Sequence, residues 1–459
     1  MTDGLEHDVA ARGAMLAWFE GLALPDHFGD PGREWRAARE GAAAFPAGYR
    51  RHIVAVGDDR VSFLHGMLTN DIEGLVPGSG CHAALLDERA RVVTDLRVYA
   101  ADERLCLDVL AWRADVLRER LEHFIIADDI ELRETDELQP LVQVEGPLAS
   151  AVVREALGLK TLPAARFGHQ RLTFNGLAVG VARVSEIGDQ GASVWGPVAA
   201  RAALLDACVE AGAVRAGMLT LDVLRIESGI PWPGVDVDDS TLIMEMDLAS
   251  AISSSKGCYL GQEVVERVSA RGHVNRHLCG LVLEGGDVPA RATPLLAGER
   301  EVGHVTSAAH SPLVGGVIAL GIIHRKHATP GTRVWVGAER RPATVAALPF
   351  DPGAQSYGGR VGMTQLGKIY VAPSGMQLIV TKGGPGVLSD ATVPLLRADS
   401  GEKFSPDTPA GSTALQLGKR YRSADGAVEV LINKAGPCEL RYEGQAMELK
   451  EAKPLPSSD

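Results

Sequence analysis

Lys256-Gly257-Cys258-Tyr259-Leu260-Gly261-Gln262-Glu263 lies within 225–272, the densest cluster of unusual residues in a chain of 459. Two glycines bracket a Cys-Tyr pair and allow tight backbone geometry around a thiol. Lys256 stands two residues before that thiol, and a nearby cation favours the thiolate. Gln262 and Glu263 add an amide and a carboxylate within one turn. For an isolated cysteine the plain alternative is a buried small residue in a glycine-bounded turn before a helix. The same segment opens on Arg225-Ile226-Glu227-Ser228-Gly229-Ile230-Pro231 and passes Gly234-Val235-Asp236.

Outward from this segment, the chain divides by pattern. Val61, Leu64 and Leu68 repeat at helical spacing after Asp58 and Asp59, which can cap. Val92–Tyr99 and Leu105–Leu110 read as strands joined by a turn at 101–104, and Leu117, Leu121 and Phe124 mark a second helix. A similar block covers about 140–220. Single helices alternating with hairpins define an α+β fold with antiparallel sheet rather than a doubly wound nucleotide fold. Short strands punctuated by Gly and Pro over 277–350 suggest a small β-barrel. The expected domains are a 1–40 extension, an α+β region over 41–276 in halves of 41–137 and 138–276, a 277–350 barrel, a 351–366 linker and a 367–455 tail. In that tail Gly367–Leu388 repeats as Gly418–Leu440 after a one-residue gap. Each copy reads as a hairpin unit, and the polar stretch Leu396–Ser412 between them as flexible.

Composition narrows the function. With 46 Lys+Arg against 59 Asp+Glu, the formal charge is −13, which argues against a nucleic-acid scaffold. All 13 His and 6 Trp precede residue 351, so the tail is a second compositional regime. None of the six cysteines forms a C-x-x-C pair, and no metal ligand set is expected. The N-terminus lacks the apolar core of a signal peptide, and no apolar run reaches membrane-spanning length. A cytoplasmic protein without membrane partners is expected.

The octapeptide resembles the K-G-C-Y-x-G-Q-E signature of the YgfZ-type folate-binding proteins, relatives of the glycine-cleavage T-protein (aminomethyltransferase). Phe63–Asp71 resembles the family's F-L-x-x-x-L-T-N-D helix end, and Ala84–Asp87 through Asp95–Tyr99 its next hairpin. Glu145-Gly146-Pro147 resembles its Q-G-P turn with Glu in place of Gln. Gly303–Ser307, Ser311-Pro312 and Leu348-Pro349-Phe350 resemble its C-terminal barrel. The resemblance covers about 40–350.

It implies three modules around an opening that binds tetrahydrofolate or a one-carbon derivative. Glu227 would hold the pterin ring by accepting two of its N–H groups, the alternative being an ion pair within its helix. Arg225, Arg267 and Arg271 are candidates for the anionic folate tail. Asp95 matches the second acid of the family's Asp-Asp pair, with Thr94 at the first position; that loss weighs against aminomethyl transfer. Asn70 and Asp71 could contact the ligand or simply end a helix, while Lys256, Tyr259, Gln262 and Glu263 accompany Cys258. That cysteine implies a role in assembling or repairing iron–sulfur clusters, with client or assembly proteins as partners. The alternatives are a folate-dependent aminomethyltransferase and a non-catalytic interaction protein. The tail resembles desulforedoxin-like iron modules whose ligand positions fall on Ala372, Ser374–Gly375, Asp390, Ala391, Ser423, Gly426, Tyr442 and Glu443, so no thiolate remains.

Overall fold

The computed structural model describes residues 9–350 apart from 189, 247, 254, 272 and 273; in the tail it describes 363–364, 368–382, 384–385, 388–391, 393–398, 404, 411–424, 426, 428–442 and 445–450. Contacts divide the chain into units 1–358 and 359–459. The expected linker, 351–366, lies outside the described residues except for 363–364, as does most of 396–412.

The described part of the expected N-terminal extension is built into the first unit. Hairpin β1 (Met15–Phe19) and β2 (Leu22–His27) precedes helix α1 (Pro31–Glu40) and strand β3 (Ala43–Pro46). Pro31 begins α1, and Asp30 caps it by accepting from Arg33 N at 2.9 Å. Phe19 and Leu22 pack against the core of Leu24, Tyr49, Leu221 and Trp232. Glu34 is buried and accepts from Phe28 N, Gly217 N and Thr220 Oγ1, which fastens α1 to the chain around 217–220.

Next come β4 (Arg50–Val56), α2 (Arg60–Met67), β5 (Gly80–Leu86), β6 (Val92–Ala101), β7 (Arg104–Leu110), α3 (Ala114–Phe124) and β8 (Glu131–Arg133). Their five strands form an antiparallel sheet ordered β5-β6-β7-β4-β8. Strand periodicity sends Leu96, Val98 and Ala100 into a core with Leu64, Leu117 and Leu121, and turns Asp95, Arg97 and Tyr99 to the other face. One expectation is corrected: Asp59 sits at the α2 N-cap without a cap bond, and its carboxylate instead accepts from Asp129 N at 2.8 Å.

The second half contains β9 (Gln139–Glu145), α4 (Ala149–Ala156), β10 (His169–Phe174), β11 (Leu177–Ala182), β12 (Gly191–Gly196), α5 (Arg201–Glu210) and β13 (Val214–Arg215). Its sheet runs β10-β11-β12-β9-β3-β13, with β13 parallel to β3. Helices α6 (Met218–Glu227) and α7 (Gln262–Arg271) then lead into the barrel. Strands β14 (Arg276–Leu283), β15 (Pro294–Ala297), β16 (Arg300–Ser311), β17 (Gly316–His324), β18 (Arg333–Val336) and β19 (Arg341–Ala346) close it in the order β14-β17-β16-β15-β18-β19. The α+β architecture with a terminal barrel is therefore the observed fold. Among the described residues, no helix is long and apolar enough to cross a membrane.

Buried charge joins the two halves. Arg97 bridges Asp108 at 3.3 Å and Glu186 at 2.7 Å, while Arg50 holds Asp108 at 2.6 Å. Glu145 lies beside this group, accepting from Gln143 Nε2, Glu186 N and Ser185 Oγ at 2.6–2.7 Å. Burial pushes Glu145 up to about 8 against those hydrogen bonds, and the Glu186 charge adds to the rise. The native state thus keeps a proton that the unfolded chain releases. Stability from this group is full below the ordinary glutamate range and is lost as pH rises through about 8. Glu145→Gln, which keeps the shape without the charge, is expected to stabilise the protein by about 2 kcal/mol at pH 8.5. The gain should vanish near pH 4; calorimetric unfolding across that range checks it.

The tail pairs its two copies about a local two-fold. Strand 377–382 runs antiparallel to 429–434, with Leu378 opposite Ile432, Ile379 opposite Leu431 and Val380 opposite Val430. Strand 388–390 pairs with 440–442 in the same symmetric way. Leu378, Val380, Leu388, Val430, Ile432 and Leu440 share one core, so neither copy buries its apolar face alone. Ala372, Ser423 and Tyr442, at expected ligand positions, are buried in this unit, and Asp390 accepts from Gly411 N and Glu439 N. Glu443 lies outside the described residues.

Candidate functional site

Asp95 is the first of the expected site residues. Its Oδ2 lies 2.7 Å from His82 Nε2, and its side chain retains 14% exposure. The strands dictate this contact: Ala84 on β5 faces Asp95 on β6, and His82 is the next residue on the same face of β5. His82 itself is buried, with Nδ1 3.3 Å from Ser250 Oγ. Burial lowers the His82 pKa, against the hydrogen bond and charge of Asp95. Asn70 ties the same layers together by donating to His82 O at 2.7 Å and Ser250 O at 3.2 Å, and its Oδ1 accepts from Asp71 N. Thr94 is buried behind Asp95. Asn70, Asp95 and the chain leading to the octapeptide are therefore brought together, while Asp71 remains partly exposed beside His65 at 3.4 Å.

The octapeptide divides into anchors and one open group. Lys256 Nζ donates to the carbonyls of His65, Leu68 and Asn70, at the C-terminal end of α2. Burial lowers its pKa to about 8, against the charge of Asp71. The Lys256 donors are thus directed at a helix end. Tyr259 is buried with its ring 5.1 Å from that ammonium. Gln262 accepts from Tyr259 N at 3.2 Å and donates to Glu266 at 2.6 Å. Glu263 pairs with Arg267 one turn away and is largely solvated. Gly261 is required, because its φ is +83° and a Cβ would meet Asp87 O at 2.7 Å; at Gly257 a Cβ would make only an ordinary contact, 3.9 Å from His65 Nε2. Cys258 is exposed, whereas the other cysteines are buried or partly so.

Two further expectations change. Glu227 is fully buried, and its carboxylate already accepts from Trp35 Nε1 at 3.0 Å, Arg39 at 2.6 Å and Ser311 Oγ at 2.6 Å. Both its oxygens already accept from the protein, joining α1, α6 and β16. Arg225 is likewise buried; it pairs with Asp236, bonds Asp222 at 2.8 Å and Ser307 Oγ at 2.6 Å, and stacks 4.8 Å over Trp232. Its guanidinium is committed to these buried partners. The side chain of Arg271 lies outside the described residues. Sequence reasoning missed a cavity of about 290 Å³ lined by Arg91, Arg113 and Arg120, with Asp87 and Asp239 at its walls. Val93 also lines it, two residues before Asp95 on β6. Among the described residues, no cluster of His, Cys, Asp or Glu could hold a metal ion.

Two α+β halves, a buried seam of charge between them and a closed terminal barrel define a three-module protein of T-protein type. Residues 5–256 match the GCVT N-terminal domain, and residues 276–351 match the glycine cleavage T-protein C-terminal barrel domain. The chain belongs to the glycine cleavage T-protein family. Similar proteins include an aminomethyltransferase of Synechococcus elongatus, 30% identical over 354 residues covering 75% of this chain and 94% of that protein. Another is an aminomethyltransferase of Nostoc sp., 26% identical over 346 residues and covering 73% and 92%. The crystal structure of the glycine cleavage system aminomethyltransferase T from Bartonella henselae superposes with a TM-score of 0.70 at 23% identity, covering 76% of this chain and 98% of that one. That likeness establishes the fold.

Proposed function

We propose that this chain binds tetrahydrofolate and transfers a one-carbon unit at Asp95. The observation that carries this reading is the asymmetric carboxylate: Oδ2 is held by His82, and Oδ1 makes no hydrogen bond among the described residues. A carboxylate anchored on one side can hold or accept a proton on the other. Bound tetrahydrofolate would supply two secondary amines that bond to the carbon as its bonds to the donor and to the donor's amine break and ammonia leaves, and Asp95 Oδ1 suits an amine N–H. The cavity of Arg91, Arg113 and Arg120 suits the folate's anionic glutamate tail. Incubating the protein with tetrahydrofolate and an aminomethyl donor, and following methylenetetrahydrofolate, tests the transfer. No product above the protein-free rate contradicts it.

A second reading, support of iron–sulfur cluster assembly or repair as in YgfZ-type proteins, is favoured by one observation: the exposed Cys258 thiol on a loop otherwise pinned by Lys256, Tyr259 and Gly261. Under native conditions one thiol per chain is expected to react rapidly with a disulfide reagent, and Cys258→Ser should remove that phase. If the second reading holds, Cys258→Ser also lowers cluster-enzyme activity in cells while leaving methylenetetrahydrofolate formation unchanged. The tail is proposed to descend from a desulforedoxin-like module and to hold its fold by core packing without iron.

A further inference from the structure

We propose that His82 is the positioning residue for Asp95, presenting an Nε2–H to one carboxylate oxygen and leaving the other directed at the substrate. This rests on the reading of Asp95 as the transfer acid. His82 does not reach solvent: it is 1% exposed, its ring lies 6.5 Å from that of Phe167, and the backbone carbonyl of its own residue is held by Asn70. Both ring nitrogens face oxygens, Asp95 Oδ2 at 2.7 Å and Ser250 Oγ at 3.3 Å. A carboxylate can only accept, so the proton belongs on Nε2. Nδ1 is then the acceptor, and the Ser250 hydroxyl donates to it. The charges of Arg166 and Arg97 oppose a second ring proton, as does burial, while Asp95 favours it.

The chain of contacts therefore runs from Ser250 through the imidazole to Asp95, and fixes both the tautomer and the carboxylate rotamer. Ser250 precedes the octapeptide by six residues, so the ring, beside the Asn70 bonds to the same layers, links the segment leading to Cys258 with the strand that carries Asp95. A leucine in place of His82 could fill the space yet would free Asp95 to rotate. Misplacement by about 1 Å is enough to cost about 100-fold in rate.

The test uses the full chain. The first measurement is the side-chain nitrogen spectrum of His82 in ligand-free protein between pH 6 and 8, assigned with His82→Gln. The expected result is a neutral ring protonated at Nε2, with that N–H resonance moved by Asp95→Asn. A ring protonated at Nδ1, or an imidazolium, overturns the proposal. The second compares His82→Leu with His82→Gln, whose amide can donate to the same oxygen. For methylenetetrahydrofolate formation, kcat should fall about 100-fold in His82→Leu with KM for folate changed less than about threefold, and His82→Gln should recover most of the loss. Equal losses in both variants, or a loss carried by KM, overturn it. If the parent makes no methylenetetrahydrofolate, the transfer reading falls, and the nitrogen spectrum alone decides whether His82 orients Asp95.

Discussion

Asp95→Asn is expected to lower the rate of one-carbon transfer by about 10²–10⁴-fold, the range for removing a positioned acid or base. The substitution is nearly isosteric. Its amide oxygen can still accept from His82 Nε2, so the β5–β6 layer and its Asn70 and Ser250 contacts should remain intact. What disappears is the basicity of the open oxygen. Folate affinity should therefore change less than about threefold while kcat collapses. Buried Thr94, its neighbour in sequence, offers no carboxylate to take over. Transfer retained within a few-fold of the parent, measured by single-turnover formation of methylenetetrahydrofolate, would remove Asp95 from the reaction.

Arg225→Met is expected to be the most damaging single change to stability. Arg225 is 1% exposed, and Asp236 is buried with it. The guanidinium serves Asp222, Asp236, Ser307 and Ile230 O, and Asp236 in turn accepts from Thr306 Oγ1, Ser307 Oγ and Trp232 N. Removing the cation leaves two carboxylates without it at the seam between α6 and β16, a loss of about 3–5 kcal/mol. Methionine preserves much of the volume over Trp232, so lost packing contributes little. Urea unfolding should show the midpoint drop. A loss below about 1 kcal/mol would mean that the barrel seam is held by apolar contacts instead.

Much of the fold was legible because its patterns are local. The spacing of Val61, Leu64 and Leu68, the alternation along 92–110 and the short strands after residue 277 each specify an element without distant information. The tail repeat was legible as a duplication. Its symmetric pairing of 377–382 with 429–434 was not, because strand partners are chosen by a shared core. Sequence reading singled out Asp95 and Cys258, which the fold leaves partly exposed and exposed, from motif and residue type alone. It failed where a charged side chain's partners come from far along the chain. Glu227 reads as a free carboxylate until Arg39, 188 residues earlier, and Ser311, 84 residues later, are seen to occupy it. The partners of Arg225 and Lys256 are hidden from the sequence for the same reason. His82 left no motif at all: its role depends on the β5–β6 register, whose bulge lies at Leu85/Leu86, and on Ser250, 168 residues away.

The most direct test of the account is calorimetric titration of the full chain with tetrahydrofolate under reducing, anaerobic conditions. The expected result is one folate bound per chain with a dissociation constant between about 1 μM and 1 mM, weakened by charge removal at Arg91 and Arg113. No heat of binding with folate at several millimolar, from a protein whose unfolding transition shows it to be native, would contradict it.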